Sequence, residues 1–394
     1  MDAFSACFSR APQRAAATQY LEGLFNDSER KSMQAMHGRL SDPVSYEALQ
    51  HFITDSPWEA GRVWTQLRAA VPVRAGILAL DDTGFPKQGR HSVGVQRQYC
   101  GALGKIGNCQ VAVSSALLAD GGPWPLTFEL YLPQSWMADP ARRRAAGIPD
   151  RLVFREKWRI ALAHIRTVLQ AGFHLDGITV DADYGSNHAF RAALERLGLR
   201  YGVAIRGDLV MATAETPRPY PAAALAEAIP AADWQTLTWG TGTKGPLTAD
   251  FLALRVRPLK SRGERWLLCE RSLADGARKY YMLNLDPTAT VRDLVALARS
   301  RWLIEQQYRD LKDELGVDHF EGRTYRGWMH HTVLTAVAFT FLQLERAQVK
   351  AAPRPTLPTV RFGVREIMGL LYIINSRRLL TMMVSFQRNP PLRR

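Results

Sequence analysis

Apolar positions recur at helical spacing near both ends of the chain and gather into short extended runs between them. Tyr46, Leu49, Phe52 and Ile53 follow Ser45, and Trp58, Val63, Trp64 and Leu67 follow Ser56-Pro57. A serine at the cap accepts a hydrogen bond from an unpaired N–H of the first turn, and proline at the first helical position forfeits none. Residues 1–72 therefore read as helical, with Pro72 closing the last helix. From Gly76 the pattern changes: Gly76–Leu80 is a short apolar run, and His91–Cys100 and Gln110–Leu118 are strand-like, separated by turn-rich segments. Three strands joined by short loops predict an antiparallel meander. Trp158, Leu162, Ile165 and Leu169 then form a helical stripe within Phe154–Leu169, followed by a strand at Gly177–Val180, a helix at Ala189–Leu197 and a strand at Tyr201–Ile205.

The order β-β-β-α-β-α-β is that of a ribonuclease-H-like core, a mixed α/β sheet flanked by helices. Between residues 207 and 288 glycine, proline and threonine become frequent and alternating runs return, which predicts a mostly β insertion. Helical writing resumes from Val291 to about Leu315 and again over Met329–Arg346. The expected division is an N-terminal helical domain (1–72), a first part of the core (73–206), the β insertion (207–288), a second part of the core (289–348) and a basic C-terminal segment (349–394). The helical domain admits two readings, a DNA-end reader or a packing and dimerisation module.

Composition narrows the partners. Lysine and arginine total 51 against 37 aspartates and glutamates, a net charge of +14 in 394 residues. The surplus is spread along the chain, so it predicts a broad basic surface and salt-dependent affinity for polyanions. The four cysteines form no C-x-x-C pair, which argues against a zinc ribbon or a disulfide framework. No secretory leader or membrane-spanning run is legible, and the cytoplasm, with association to the bacterial nucleoid, is the expected location.

Three acids stand out against this background. Asp81 ends the run Gly76–Leu80, Asp181 ends Gly177–Val180, and Glu305 lies on a helix with Arg301, Tyr308 and Lys312. Carboxylates at the ends of buried strands are costly unless something positive meets them. At about 100° per residue, Arg301, Glu305, Tyr308 and Lys312 fall within about 60° of one another, so one helical face offers a carboxylate, two cations and a phenol. Taken alone, that face equally suits a solvent-facing ladder, since Arg301 and Glu305 are an i,i+4 pair.

These blocks, in this order, resemble the DDE transposases of the IS4-like superfamily, and most closely the IS701 family. The resemblance rests on Asp81–Lys87 with His91–Val95 and Arg97–Gly101, on Leu103–Gln110, on Leu130–Pro133 with Trp136 and Asp139, and on Asp181–Gly185. The last block resembles the superfamily pattern Tyr-x2-Arg-x3-Glu-x6-Lys through Arg301, Glu305 and Lys312. Two positions depart from the pattern: Ala298 stands where the tyrosine is expected, and Asp183 replaces the glycine of the second block. Asp82 is a rival to Asp81, although successive strand residues face opposite ways.

The resemblance implies that Asp81, Asp181 and Glu305 are catalytic and hold two Mg²⁺ ions, for which Mn²⁺ can substitute. It implies an insertion-sequence transposase that cuts DNA at transposon ends and joins them to target DNA, assembled as a homodimer on the terminal inverted repeats. Arg301 and Lys312 would grip phosphates, with Tyr308 on the same face and the run Arg142, Arg143 and Arg144 as a further DNA patch. Trp234 and Trp239 could stack a flipped base or pack in the core, and Lys87 and His91 could approach DNA or remain loop surface. Two other functions remain open: a silent or domesticated relative that binds DNA as a regulator, and a two-carboxylate glycosidase, which the basic surplus disfavours.

Overall fold

Five strands form the sheet that carries the first two acids: β1 (Ala75–Pro86), β2 (Gln96–Cys100), β3 (Lys105–Ala119), β4 (Gly122–Leu130) and β5 (His174–Thr179). The computed structural model describes residues 2–215, 218–242, 245–261, 263–349 and 354–375. Strand order is β2-β3-β1-β5, with β4 also paired to β3. β1 is buried along nearly its whole length, as its uninterrupted apolar run requires of a central strand. It runs antiparallel to β3 and parallel to β5, and the ladder with β5 ends at Ala79 opposite Thr179.

Strand boundaries differ from expectation at several places: β1 runs past Leu80 to Pro86, and β3 and β5 begin at Lys105 and His174 rather than at Gln110 and Gly177. The strand foreseen over His91–Cys100 begins only at Gln96, because Gly94 adopts a left-handed φ of 74° and turns the chain before it. β4 has no counterpart in the sequence reading, since Pro123 and Pro125 argue against a strand. It is tolerated because β4 pairs on one side only, with β3, so a missing N–H can face away from the ladder.

A second sheet follows from β6 (Gly202–Ile205), β7 (Val210–Ala212), β8 (Tyr220–Pro221), β9 (Gln235–Gly242), β10 (Gly245–Pro258), β11 (Arg265–Ser272) and β12 (Arg278–Leu283). Its order is β6-β12-β11-β10-β7-β8, with β9 on β10. Within the predicted insertion, Thr216, Pro217, Thr243, Lys244 and Arg262 lie outside the described residues. An isolated parallel bridge between Ile178 and Tyr201 joins β5 to the approach of β6.

The Val291–Arg299 helix packs on this second sheet through Leu294, Val295, Leu297 and Ala298. Leu297 settles over Gly177 and Gly202, where a Cβ would come within 2.8 Å of its side-chain carbons, so glycine permits the close approach. The single helix expected over Val291–Leu315 is in fact two, Val291–Arg299 and Trp302–Asp313, parted at Ser300-Arg301. Ser300 Oγ bonds back to the Leu297 carbonyl at 2.8 Å, closing the first helix. The break lets the first helix lie on the second sheet while the second brings Tyr308 beneath β1 of the first.

These elements belong to one compact unit, Leu67–Tyr308; the other comprises Met1–Gln66 and Arg309–Arg394. In the latter, the Tyr325–Gln348 helix packs on the Ala11–Phe25 and Tyr46–Thr54 helices. His330 stacks on Trp58 with ring centroids 3.6 Å apart, and Tyr20 bonds His331 Nδ1 at 2.7 Å. Residues 309–348 thus group with the N-terminal helices rather than with the core, because the Tyr325–Gln348 helix is apolar around most of its girth and needs cover on several sides. Of the segment expected over 349–394, the Leu357–Asn375 helix is described, and residues 350–353 and 376–394 lie outside the described residues. Among the described residues no helix is long and apolar enough to cross a membrane.

Candidate active site

Asp81 lies on β1 opposite Ser114 of β3, two residues beyond the last rung shared with β5. The residue is only 7% exposed. Oδ1 accepts the Asp82 N–H at 2.8 Å, and Oδ2 accepts from Arg301 Nη1 at 2.6 Å. From below, the Tyr308 hydroxyl donates to the Asp81 carbonyl at 2.9 Å and bonds Ser114 Oγ at 2.6 Å. Strand, arginine and tyrosine therefore hold this residue from three directions.

Asp181 follows β5 and caps a one-turn helix, Ala182–Gly185, its Oδ1 accepting from the N–H groups of Asp183 (3.0 Å) and Tyr184 (3.1 Å). The Tyr184 hydroxyl donates across to Asp82 Oδ1, and Lys157 Nζ meets Asp82 Oδ2 at 2.5 Å. Asp82, the expected rival of Asp81, thus has both oxygens engaged by other side chains, while Asp81 is the one directed at Arg301.

Glu305 reaches the two aspartates indirectly. It is exposed on the first turn of its helix, and its Oε1 accepts from Arg301 Nη2 at 2.6 Å. Arg301, at the break between the helices, bridges Asp81 and Glu305 with its two terminal nitrogens. The planar fork of a guanidinium suits such two-sided pairing.

Electrostatically the site is short of cations. The Asp81 carboxyl is pushed up to about 7, chiefly by burial, with Arg301 opposing the rise and Asp181 and Asp82 adding to it. Burial also raises Asp181, the Tyr184 N–H opposes this, and Asp82 and Asp183 add to it. Among the described residues, Asp81, Asp82, Asp181, Asp183 and Glu305 thus gather about Arg301 and Lys157, carboxylates in excess of cations. A divalent cation would relieve that imbalance, and hard carboxylate oxygens are the donors it takes, so the residues fit one. Among the described residues no three acidic, imidazole or thiol side chains are gathered as a ready-made metal cage. Glu305 is paired with Arg301, four residues before it.

Other expected site residues are placed differently. Tyr308 is buried beneath β1, which removes it from the exposed DNA-facing role expected of it; the apolar stripe of its helix turns that phenol inward. Lys312 occupies the last turn of the same helix, past the end of the sheet-containing unit. Arg142 stacks on Trp136 at 3.7 Å and donates to the carbonyls of Arg90 and Val95, and Arg143 donates to those of Pro149, Asp150 and Leu152. Both therefore pin loops, whereas Arg144 is exposed. Trp234 lies beneath Arg271 and Trp239 beneath Arg299, at 4.6 and 4.0 Å.

Sequence reasoning missed Lys157, Tyr184 and Ser114. Tyr184 stands inside a recognised block, so its neighbourhood was visible. Lys157 contacts Asp82 across 75 residues, and no local pattern announces such a pair.

Comparison with known proteins places this geometry in context. The family described as "DDE superfamily endonuclease" matches residues 3–246, and "Transposase DDE domain" matches residues 159–341. The chain is 28% identical over 339 residues to a protein of Microchaete diplosiphon, "Probable transposase for insertion sequence element IS701", covering 83% of this chain and 80% of that one. A piggyBac transposase chain, from a cryo-EM structure of its synaptic complex with hairpin DNA, matches with a TM-score of 0.48 and 10% identity over 96% of this chain and 76% of that chain. With one family matched across well over half its length, this chain belongs to the DDE superfamily of endonucleases.

Proposed function

We propose that this protein is a DDE transposase of the IS701 type, which cuts DNA at the ends of an insertion sequence and joins those ends to target DNA. The observation that carries the reading is that buried Asp81, within β1, and half-buried Asp181, just past β5, each lie two residues beyond the last rung of the parallel β1–β5 ladder and repel one another's charge, with Glu305 linked to Asp81 through Arg301. The order β4-β3-β1-β5, continued by the parallel bridge to Tyr201, supports a ribonuclease-H-like core beneath them.

Asp81, Asp181 and Glu305 are the residues that would hold Mg²⁺. When bound, the ions polarise the scissile phosphodiester and activate water, or later a DNA 3′-hydroxyl, for in-line displacement. Asp81 must give up its proton to serve, and Arg301 beside it favours the ionised form. Arg301 also offers a forked donor to a backbone phosphate, in exchange for Glu305. Exposed Arg144 and the general basic surplus would draw DNA to the protein, and a homodimer would engage both terminal repeats.

The test is cleavage of DNA carrying the element's own terminal repeats by purified protein, with and without Mg²⁺. Mg²⁺-dependent nicks at the repeat ends, lost in Asp81→Asn, are expected. DNA binding with no cleavage under any divalent metal would instead assign the protein to the regulator class.

A further inference from the structure

We propose that Asp82, Lys157 and Tyr184 form a clasp that sets the separation of Asp81 from Asp181, with Tyr184 as its positioning residue. The inference rests on the metal-site reading of those two aspartates. The main-chain ladder cannot set their spacing alone. Pairing between β1 and β5 stops at Ala79 and Thr179, two residues short of each carboxylate. Beyond that point the chains are joined by side chains, and the Asp82 carboxylate lies at the junction. One oxygen takes the Tyr184 hydroxyl from the Asp181 turn; the other takes Lys157 Nζ from the first turn of the Lys157–Gln170 helix.

The far side of the Asp181 turn is already fixed. A Cβ on Gly185 would fall 1.9 Å from the Ala204 carbonyl oxygen, so the turn is seated directly on β6. Arg191 Nη1 donates to the Gly185 carbonyl at 2.5 Å, and the Tyr184 ring packs edge-on to Phe190 at 5.9 Å. Tyr184 is therefore a short, buried strut: its backbone N–H orients the Asp181 carboxylate while its hydroxyl ties the turn to β1. Lys157 adds a second restraint, its ammonium 5.5 Å from the Tyr131 ring centre as well as against Asp82. Burial lowers the affinity of that ammonium for its proton, but Asp82 more than offsets the effect. This accounts for two adjacent acids on one strand: Asp81 is left for the cation, and Asp82 is committed to geometry.

The experiment is Mn²⁺ binding to the full chain without DNA, by calorimetry or by loss of the free-ion electron paramagnetic resonance signal. Tyr184→Phe keeps the ring and removes the hydroxyl, and Asp82→Asn keeps the shape and removes the charge. Each is expected to weaken Mn²⁺ binding by about tenfold, the scale seen when a partner behind a metal ligand is lost. The Mn²⁺ concentration giving half-maximal cleavage should rise equally, while affinity for DNA ends holds. Lys157→Arg should retain wild-type Mn²⁺ affinity and Lys157→Met should not, a rescue that a purely structural role would not produce. The clasp is overturned if wild type binds Mn²⁺, Asp81→Asn does not, and both Tyr184→Phe and Asp82→Asn bind as wild type does. If wild type and Asp81→Asn bind Mn²⁺ equally or not at all, the metal-site reading itself fails, and the clasp fails with it.

Discussion

Two arginines on either side of Ser300 end in buried carboxylate networks of different character. Arg299 meets Glu270 at 3.1 Å, lies over Trp239, and shares Glu270 with the Tyr281 hydroxyl at 2.9 Å. That network is balanced in charge, with one cation, one carboxylate and a phenol against an apolar cluster on the second sheet, although Arg299 Nε has no hydrogen-bond partner. Arg301 meets Asp81 at 2.6 Å, but divides its donors with Glu305 and acts on Asp181 as well. Tyr308 takes the place of Tyr281, yet it grips the Asp81 backbone rather than its carboxylate. A balanced pair anchors a helix to a sheet; an unbalanced one is built to accept a further cation.

The largest expected effect comes from the unbalanced network's acids. Asp81→Asn and Asp181→Asn should each lower the rate of strand cleavage by at least about 10³-fold, the loss of several kcal/mol of charge stabilisation. DNA-end affinity, read by fluorescence anisotropy, should stay within about threefold. Wild-type cleavage by either variant would remove that residue from the site.

Stability should respond in the opposite order. Arg299→Ala leaves Glu270 buried without its cation and is expected to cost about 3–5 kcal/mol in chemical denaturation. Arg301→Ala should cost less than about half of that, because the affected Asp81 carboxylate can take up a proton. Equal losses would erase the distinction between the two networks.

The pH dependence sharpens the same contrast. Asp81 binds its proton more tightly in the folded protein, at about 7, than at its ordinary 3.8. Its contribution to stability is therefore full below about pH 4 and is lost as pH rises through 7. Without divalent metal, wild type should lose stability between pH 5 and 8, on the order of a few kcal/mol, relative to Asp81→Asn. Parallel melting curves for the two proteins across that range would contradict the shift. The smallest effect is expected from Tyr308→Phe, which strands Ser114 and one Asp81 carbonyl bond. It should cost about 1 kcal/mol of stability with no change in DNA affinity or its salt slope. A DNA-binding defect would return Tyr308 to the surface role expected from its helical face.

Much of the architecture was legible because it is local. The apolar runs before Asp81 and Asp181 announced β1 and β5, and the cap at Ser45 announced its helix, since periodicity and capping act over a few residues. β4 was hidden because the prolines that argue against a strand are harmless where β4 pairs on one side only. The break at Ser300-Arg301 was hidden because helical writing runs on through it; what divides the helix is that its halves pack on different sheets.

At the site, the chain's own order determined which residues could matter: two acids that each follow an apolar run, and an arginine four residues before a glutamate on one helical face. Tertiary structure decided what each does. Asp81 and Arg301 meet across 220 residues, Tyr184 and Asp82 across 102, and Lys157 and Asp82 across 75. A carboxylate's role depends on which cation folding brings to it and how much water folding removes. Side-chain pattern along a chain records neither quantity, so Asp81 and Asp82, adjacent and identical in sequence, become one acid paired with Arg301 and one held by Lys157 and Tyr184.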